Sequence, residues 1–291
     1  MQKPAIRSLL QVLGFLLGAC RKEVEGFVLP ESDAKLVVHC FISPDDPYLT
    51  ASVSRSRSVF ANQSPADTLV RDATVTLSDG VNAIRLPYDT SWQAYVYMMR
   101  HTPNDSFPIK SETTYALRVT TPRGEVVTAS CAVPAALDVP ITIYPDSVWD
   151  AYYQQYYYRM RMSWPDPPGQ DNLYRVAGWS EEKISSSSMV VPPARWEAAA
   201  EISDQGLDGR QLMSPWGVMQ RYSTDPTLGV TIYARLLHTD PHYYRYHRSV
   251  YLAKQSQANP FAEPVLIYSN ITGGLGAFGA YTETTTSVRV K

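Results

Sequence analysis

Four groups of residues in this chain have types and spacings from which chemistry is built. Gly274-x-Gly276-x-x-Gly279 has the spacing of a dinucleotide-binding loop, where glycines let backbone approach a pyrophosphate. That motif must open a helix after a strand and be followed, about twenty residues on, by an acidic side chain. Here a β-like Thr282–Val290 follows instead, so the glycines predict tight packing and no nucleotide. His238, Asp240, His242 and His247 carry zinc-type donors, but His242 and His247 do not share a helix face as an i,i+4 pair does, and no third ligand is fixed by spacing. They read as capping and surface groups. Asp204 and Asp208, in Ser203-Asp-Gln-Gly-Leu-Asp-Gly209, invite calcium but lack the EF-hand series. Arg55, Arg57 and Arg71 could line an anion site; as solvated edge and loop residues they need no ligand. With no nucleophile elbow, triad order, zinc helix or phosphate loop, the residues predict no catalytic group, no metal and no cofactor.

The elements that must position these groups are mostly β. The 291 residues allow one large domain or two ordinary ones, and 44% hydrophobic residues are enough for a core. Twenty tyrosines against seven phenylalanines, with 22 prolines, favour half-buried strands with wet hydroxyls over long helices. A net charge of −2 gives no electrostatic reason for a nucleic-acid partner.

The N-terminus reads as an address. Lys3 and Arg7 form a basic region, and Leu9–Leu17 an apolar run too short to span a bilayer. Leu17-Gly18-Ala19-Cys20 then resembles the bacterial lipobox. The resemblance implies recognition of Leu17, Gly18 and Ala19 by a signal peptidase, removal of residues 1–19, and acylation of Cys20, with 20–34 as a tether. Several acyl chains meet the requirement that stable anchoring needs more than one. Cys40 and Cys131 lie mid-strand by pattern. A bridge in an oxidising envelope and two small buried hydrophobes both fit them.

From residue 35 to 134 short alternating runs are separated by turn chemistry: Leu36–Ile42, Leu49–Val53, Ala73–Leu77, Ala83–Leu86, Ala94–Met98, Thr114–Val119 and Glu125–Val133. That spacing predicts an immunoglobulin-like β-sandwich. Pro134–Pro140 reads as a linker to a second β-rich domain, 135–291. There Tyr152–Trp164 alternates, with Tyr156, Tyr158, Met160, Met162 and Trp164 on one face and Arg159, Arg161 and Ser163 on the other. Pro165–Asp171 is a turn from which Asn172–Trp179 returns. An exposed Tyr/Trp surface for sugars is the alternative to core packing of these aromatics. Ile184–Trp196 reads as a loop and Val230–Leu237 as a strand. Asp240 before Pro241 predicts a helix start, with the helix at about 241–257. The glycine-rich segment comes next, and a terminal strand after it.

Several of these stretches together resemble a family of Bacteroidota envelope lipoproteins, domain-of-unknown-function family 4249. They are the lipobox with Lys22-Glu23-Val24, Lys35-Leu-Val-Val38, Ala73-Thr-Val-Thr-Leu-Ser-Asp-Gly80, Trp164-Pro-Asp-Pro-Pro-Gly-Gln-Asp-Asn-Leu-Tyr174 and Asp208-Gly209. Above all they are Asn259-Pro260-Phe261-Ala-Glu-Pro264 and Ser269-Asn270-Ile-Thr-Gly273-Gly274-Leu-Gly276-Ala-Phe278-Gly279-Ala-Tyr281, taken as a structural motif. The resemblance implies a lipid-anchored outer-membrane protein partnered with a TonB-dependent receptor. It brings no reaction and no catalytic residue. Arg21-Lys-Glu-Val-Glu25 lacks an acidic run directly after Cys20, which leaves the membrane face open. The expectation is a non-catalytic accessory protein that binds a receptor, with an unknown small ligand as a further partner. A structural or adhesive envelope module is the alternative, followed by an enzyme acting on glycans or peptides.

Overall fold

Alternation in the sequence becomes alternation of burial in the structure, a computed structural model describing residues 34–57, 64, 68–99, 107–182, 194–195, 201–219, 230–257 and 261–290. The chain divides into Met1–Asp33 and Ala34–Lys291, and everything described lies in the second unit. Leu17, Gly18, Ala19 and Cys20, like Asn259, Pro260 and most of the expected 184–196 loop, lie outside the described residues.

Strand β1 (Leu36–Ile42) buries every second residue, as its sequence requires. It is followed by β2 (Tyr48–Arg55), β3 (Thr74–Ser78), β4 (Ala83–Leu86), β5 (Tyr88–Asp89), β6 (Ala94–Met98), β7 (Thr114–Thr120) and β8 (Val126–Ala132). The second half contributes β9 (Thr142–Asp150), β10 (Gln155–Pro165), β11 (Leu173–Glu182), β12 (Ala194–Arg195), β13 (Glu201–Ser203), β14 (Gln211–Met213) and β15 (Gly217–Met219). β16 (Val230–Thr239), helix α1 (Pro241–Gln257) and β17 (Leu275–Val290) complete it.

The large sheet runs β12-β11-β16-β17-β1-β2-β6-β5, with β13 also on β11. A sheet β4-β3-β7-β8 and a sheet of β10 with β9, β14 and β15 pack against it. The protein is therefore mainly β, with sandwich layers and a helix near the C-terminus, as expected. The first core joins Val38, Ile42, Val75 and Leu117 with Phe278 and Ala280; the second joins Met160, Met162 and Trp164 with Val176, Ile232 and Leu236.

One strand serves both cores. Leu275–Ala280 of β17 runs parallel to Val37–Ile42 of β1, and Tyr281–Val290 runs antiparallel to Val230–Thr239 of β16. Period-two alternation sends Phe278 and Ala280 into the first core and packs Val288 and Val290 against the second. Gly279 and Tyr281 face the other way, against Tyr243 of α1.

Three expectations change. The terminal strand begins inside the glycine motif, at Leu275, rather than after it. β11 does not return beside β10: it crosses to the large sheet and pairs with β16. Pro165, Pro167 and Pro168 have no N–H for a hairpin ladder, so the chain arches instead. The edge of β10 is taken by β9, a stretch between the Pro134–Pro140 linker and Tyr152 to which the sequence assigned no element. Cys40 and Cys131 are buried free thiols; burial pushes the Cys40 thiol up to about 12.

Candidate functional site

Asp240 organises the junction that the glycine motif enters. As N-cap of α1 its Oδ1 accepts the Tyr243 N–H at 2.7 Å and also the Ala280 N–H at 3.2 Å, while its own N–H donates to the Ala280 carbonyl at 2.9 Å. One carboxylate thus ties helix to strand, and its burial pushes its pKa up to about 6. Asn270 completes the other part of β17. Its Oδ1 accepts the Phe278 N–H at 3.0 Å and its Nδ2 donates to the Phe278 carbonyl at 2.8 Å, so a side chain replaces a neighbouring strand.

The glycines are consumed by this packing. Gly276 sits at φ +110°, and a Cβ there would lie 2.0 Å from the Val38 carbonyl oxygen. At Gly279 a Cβ would lie 2.7 Å from the Tyr243 nitrogen. Gly273 and Gly274 press equally against the Val126 and Leu36 carbonyls. Phe278 is fully buried, and Tyr281 donates to Asp46 Oδ2 at 2.7 Å. Asn270, the four glycines, Phe278 and Tyr281 are thus gathered at one junction, whereas Phe261 and Pro264 are exposed.

The histidines are not brought together as ligands: His238 is buried, His247 is half-buried under the helix, and His242 is half-buried at the edge of an open groove. His238 Nδ1 lies 2.9 Å from the Ala135 carbonyl and His242 Nδ1 2.7 Å from the Tyr268 hydroxyl. His247 packs on Phe41 and Tyr243, where burial, with Arg175 and His39 beside it, lowers its pKa to about 3. His39 shares a 2.9 Å hydrogen bond with Tyr246 across the same helix–sheet interface. No local pattern signals this pairing, because His39 comes from β1.

Asp204 and Asp208 acquire a third partner that spacing alone missed. Asp166, from the β10–β11 arch, brings a carboxylate oxygen within 4.8 Å of theirs. Oxygens so placed are of the type calcium takes. In this structure they act as acceptors within the fold: Asp166 takes the Tyr174 hydroxyl at 2.6 Å and the Gly209 N–H at 2.9 Å. Asp204 takes the Asn172 N–H at 2.7 Å and Asp208 the Gly169 N–H at 2.8 Å. The three carboxylates clasp the arch to the 203–209 turn.

The open chemistry lies on the outer face of the β9–β10–β15 sheet. Arg159 and Arg161 alternate with the buried methionines and so point outward, as their positions predict. The ring of Trp216, between β14 and β15, receives both guanidiniums, at 4.6 and 4.7 Å. Arg161 also lies over Tyr144 of β9 at 5.7 Å, and its Nε is buried with no acceptor among the described residues. Arg159 pairs with Asp146 at 2.6 Å. Trp216, Val218 and Met213 are 37%, 44% and 45% exposed on or beside this face. Sequence reasoning found the arginines as a wet face. It missed Trp216 and Tyr144 because their register against β10 is set by other strands.

No curated protein matches the chain. The family described as Domain of unknown function (DUF4249) matches residues 24–287, nearly all of the part read as mature, and the chain belongs to that family.

Proposed function

We propose that this chain is a non-catalytic binding protein, anchored to the outer membrane through acyl chains on Cys20, whose partner is a TonB-dependent receptor. The observation that carries the binding reading is Trp216 held between Arg159 and Arg161, with exposed Val218 and Met213 nearby. Arginine and tryptophan are the side chains most enriched where protein interfaces concentrate their energy, and pre-stacked guanidiniums lose little freedom on docking. The anchor rests on the lipobox resemblance and the receptor on the family resemblance. A small ligand would find room in a groove of about 590 Å³ beside the glycine junction, lined by Thr76, Ser78, Thr128, Ser130 and Arg118.

The test is a crosslinked, mild-detergent purification from the native host with the anchor intact. The expected result is a stoichiometric β-barrel receptor whose capture falls in a Trp216→Ala, Arg161→Ala double variant. A central pair of this kind is worth about 2 kcal/mol or more, roughly 30-fold in affinity. Recovery of the lipoprotein alone, or undiminished capture by a folded double variant, overturns the reading.

A further inference from the structure

The chain enters the described unit at one end of the first sandwich, and that end is cationic. The Lys35 N–H donates to Ser56 Oγ at 2.9 Å and the Ser56 N–H to the Lys35 carbonyl at 2.8 Å, which fixes the entry point beside Arg55 and Arg57. The turn between β7 and β8 reaches the same end, because Arg55 forms a two-pronged pair with Glu125 at 2.8 and 2.6 Å. Thr121 Oγ1 donates to the same Glu125 carboxylate at 2.8 Å. Between these elements lies an open groove of about 620 Å³ lined by Arg55, Arg71, Arg123, Asp72, Thr68 and Thr121. Arg55 is already neutralised by Glu125, and Asp72 is one negative charge against two more arginines. Arg71 and Arg123 are exposed and form no ion pair among the described residues, although Arg123 lies near enough to Glu125 to help hold that carboxyl ionised. Two exposed arginines thus stand together where the chain enters the first sandwich.

We infer that this groove binds the phosphate groups of the membrane on which the chain is anchored, with Arg71 and Arg123 as the contacting residues. The inference rests on the lipid-anchor reading for its geometry. The 15 residues from Cys20 to Lys35 reach at most about 50 Å, so anchoring confines this end of the sandwich to that distance from the headgroups and raises their local concentration at the groove. Guanidinium donors match phosphate oxygens in pairs, and the open groove admits a headgroup from outside. A few acyl chains restrain position but not orientation; headgroup contacts at the tether end would turn the Trp216 face in a fixed direction.

The test uses the chain from residue 20 onward with Cys20→Ser, which keeps every residue of both cores and removes the acyl chains. Co-sedimentation is measured with vesicles of phosphatidylglycerol in phosphatidylcholine and with phosphatidylcholine alone. The expected result is salt-sensitive binding to the anionic vesicles that falls roughly fivefold for Arg71→Ala, roughly fivefold for Arg123→Ala, and is only partly kept by Arg→Lys at both, which retains the charge and loses the paired donors. Equal binding by the folded Arg71→Ala, Arg123→Ala chain, or no preference for anionic vesicles, overturns it. Inorganic phosphate binding in calorimetry without vesicle binding assigns the groove to a soluble anion and overturns the headgroup claim. The anchor is tested separately, by whether Cys20→Ser releases the protein from membranes in cells, and that result leaves the vesicle measurement unchanged.

Discussion

Gly276 and Gly279 were recognisable as a nucleotide-loop spacing, and their surroundings give them another purpose. A methyl group at residue 276 meets the Val38 carbonyl and needs φ +110°; one at 279 meets the backbone of α1. Gly279→Ala is expected to cost about 1–3 kcal/mol by overpacking. Gly276→Ala is expected to cost more, since positive-φ strain adds to the clash. Urea unfolding measures both, and wild-type stability for either would show that the strand can move away. Titration tests the same junction. The folded pKa of Asp240 is raised to about 6, so its protonation stabilises the fold fully below the unfolded value of 3.8, and that gain is lost as pH rises through 6. His247 works in the opposite sense. Its folded pKa is lowered to about 3, so stability is full above its unfolded value of 6.5 and is lost as pH falls toward 3, with His39, His238 and His242 shifted the same way. Wild-type melting temperature should therefore fall below pH 6.5. Asp240→Asn should make that fall steeper by removing the opposing carboxyl, and an unchanged slope between pH 6 and 4 would count against the buried Asp240 proton.

The elements with a local signal were legible, and those defined by distant pairing were not. Asp240-Pro241 announced α1, and alternation in Leu36–Ile42 and Tyr158–Trp164 announced β1 and β10, because caps and period two act within a few residues. The β10–β11 connection was misread as a return because a Pro/Gly/Asp turn marks a reversal without saying which sheet receives the next strand. Pairing with the distant β16 decides that here, and Asp166 of the same arch likewise meets Asp204 and Asp208 from far away in sequence. Asp166→Ala leaves the buried Tyr174 hydroxyl and the Gly209 N–H without their acceptor, so a loss of about 1–3 kcal/mol in chemical unfolding is expected. Melting of the wild-type chain with and without millimolar Ca²⁺ checks the assignment of these carboxylates as a clasp. The clasp predicts no change, and a rise in melting temperature that Asp166→Ala abolishes would make them ion ligands.

At the scale of the molecule, β17 makes the two halves depend on each other. Division at Pro134 separates most residues of the two cores, yet Ile271, Phe278 and Ala280 belong to the first, and β1 finds its parallel neighbour only in β17. A fragment of residues 35–134 would expose one edge of β1 and lose three core side chains, including the fully buried Phe278. Removing Phe278 alone costs about 3–5 kcal/mol by the usual measure of a buried aromatic, a large part of the stability of a hundred-residue domain. The fragment is therefore expected not to unfold cooperatively on its own. Mixed with 135–291, it should recover a cooperative transition, because β17 is then supplied in trans. The intact chain should melt in one transition seen alike by tryptophan fluorescence, to which six tryptophans including the buried Trp164 contribute, and by far-ultraviolet dichroism, which reports on all strands. Two separated transitions, or a 35–134 fragment that folds alone, would mean that β17 is an accessory to the first sandwich. A single transition would mean that the shared strand joins both halves into one cooperative unit, so that neither core persists without the other.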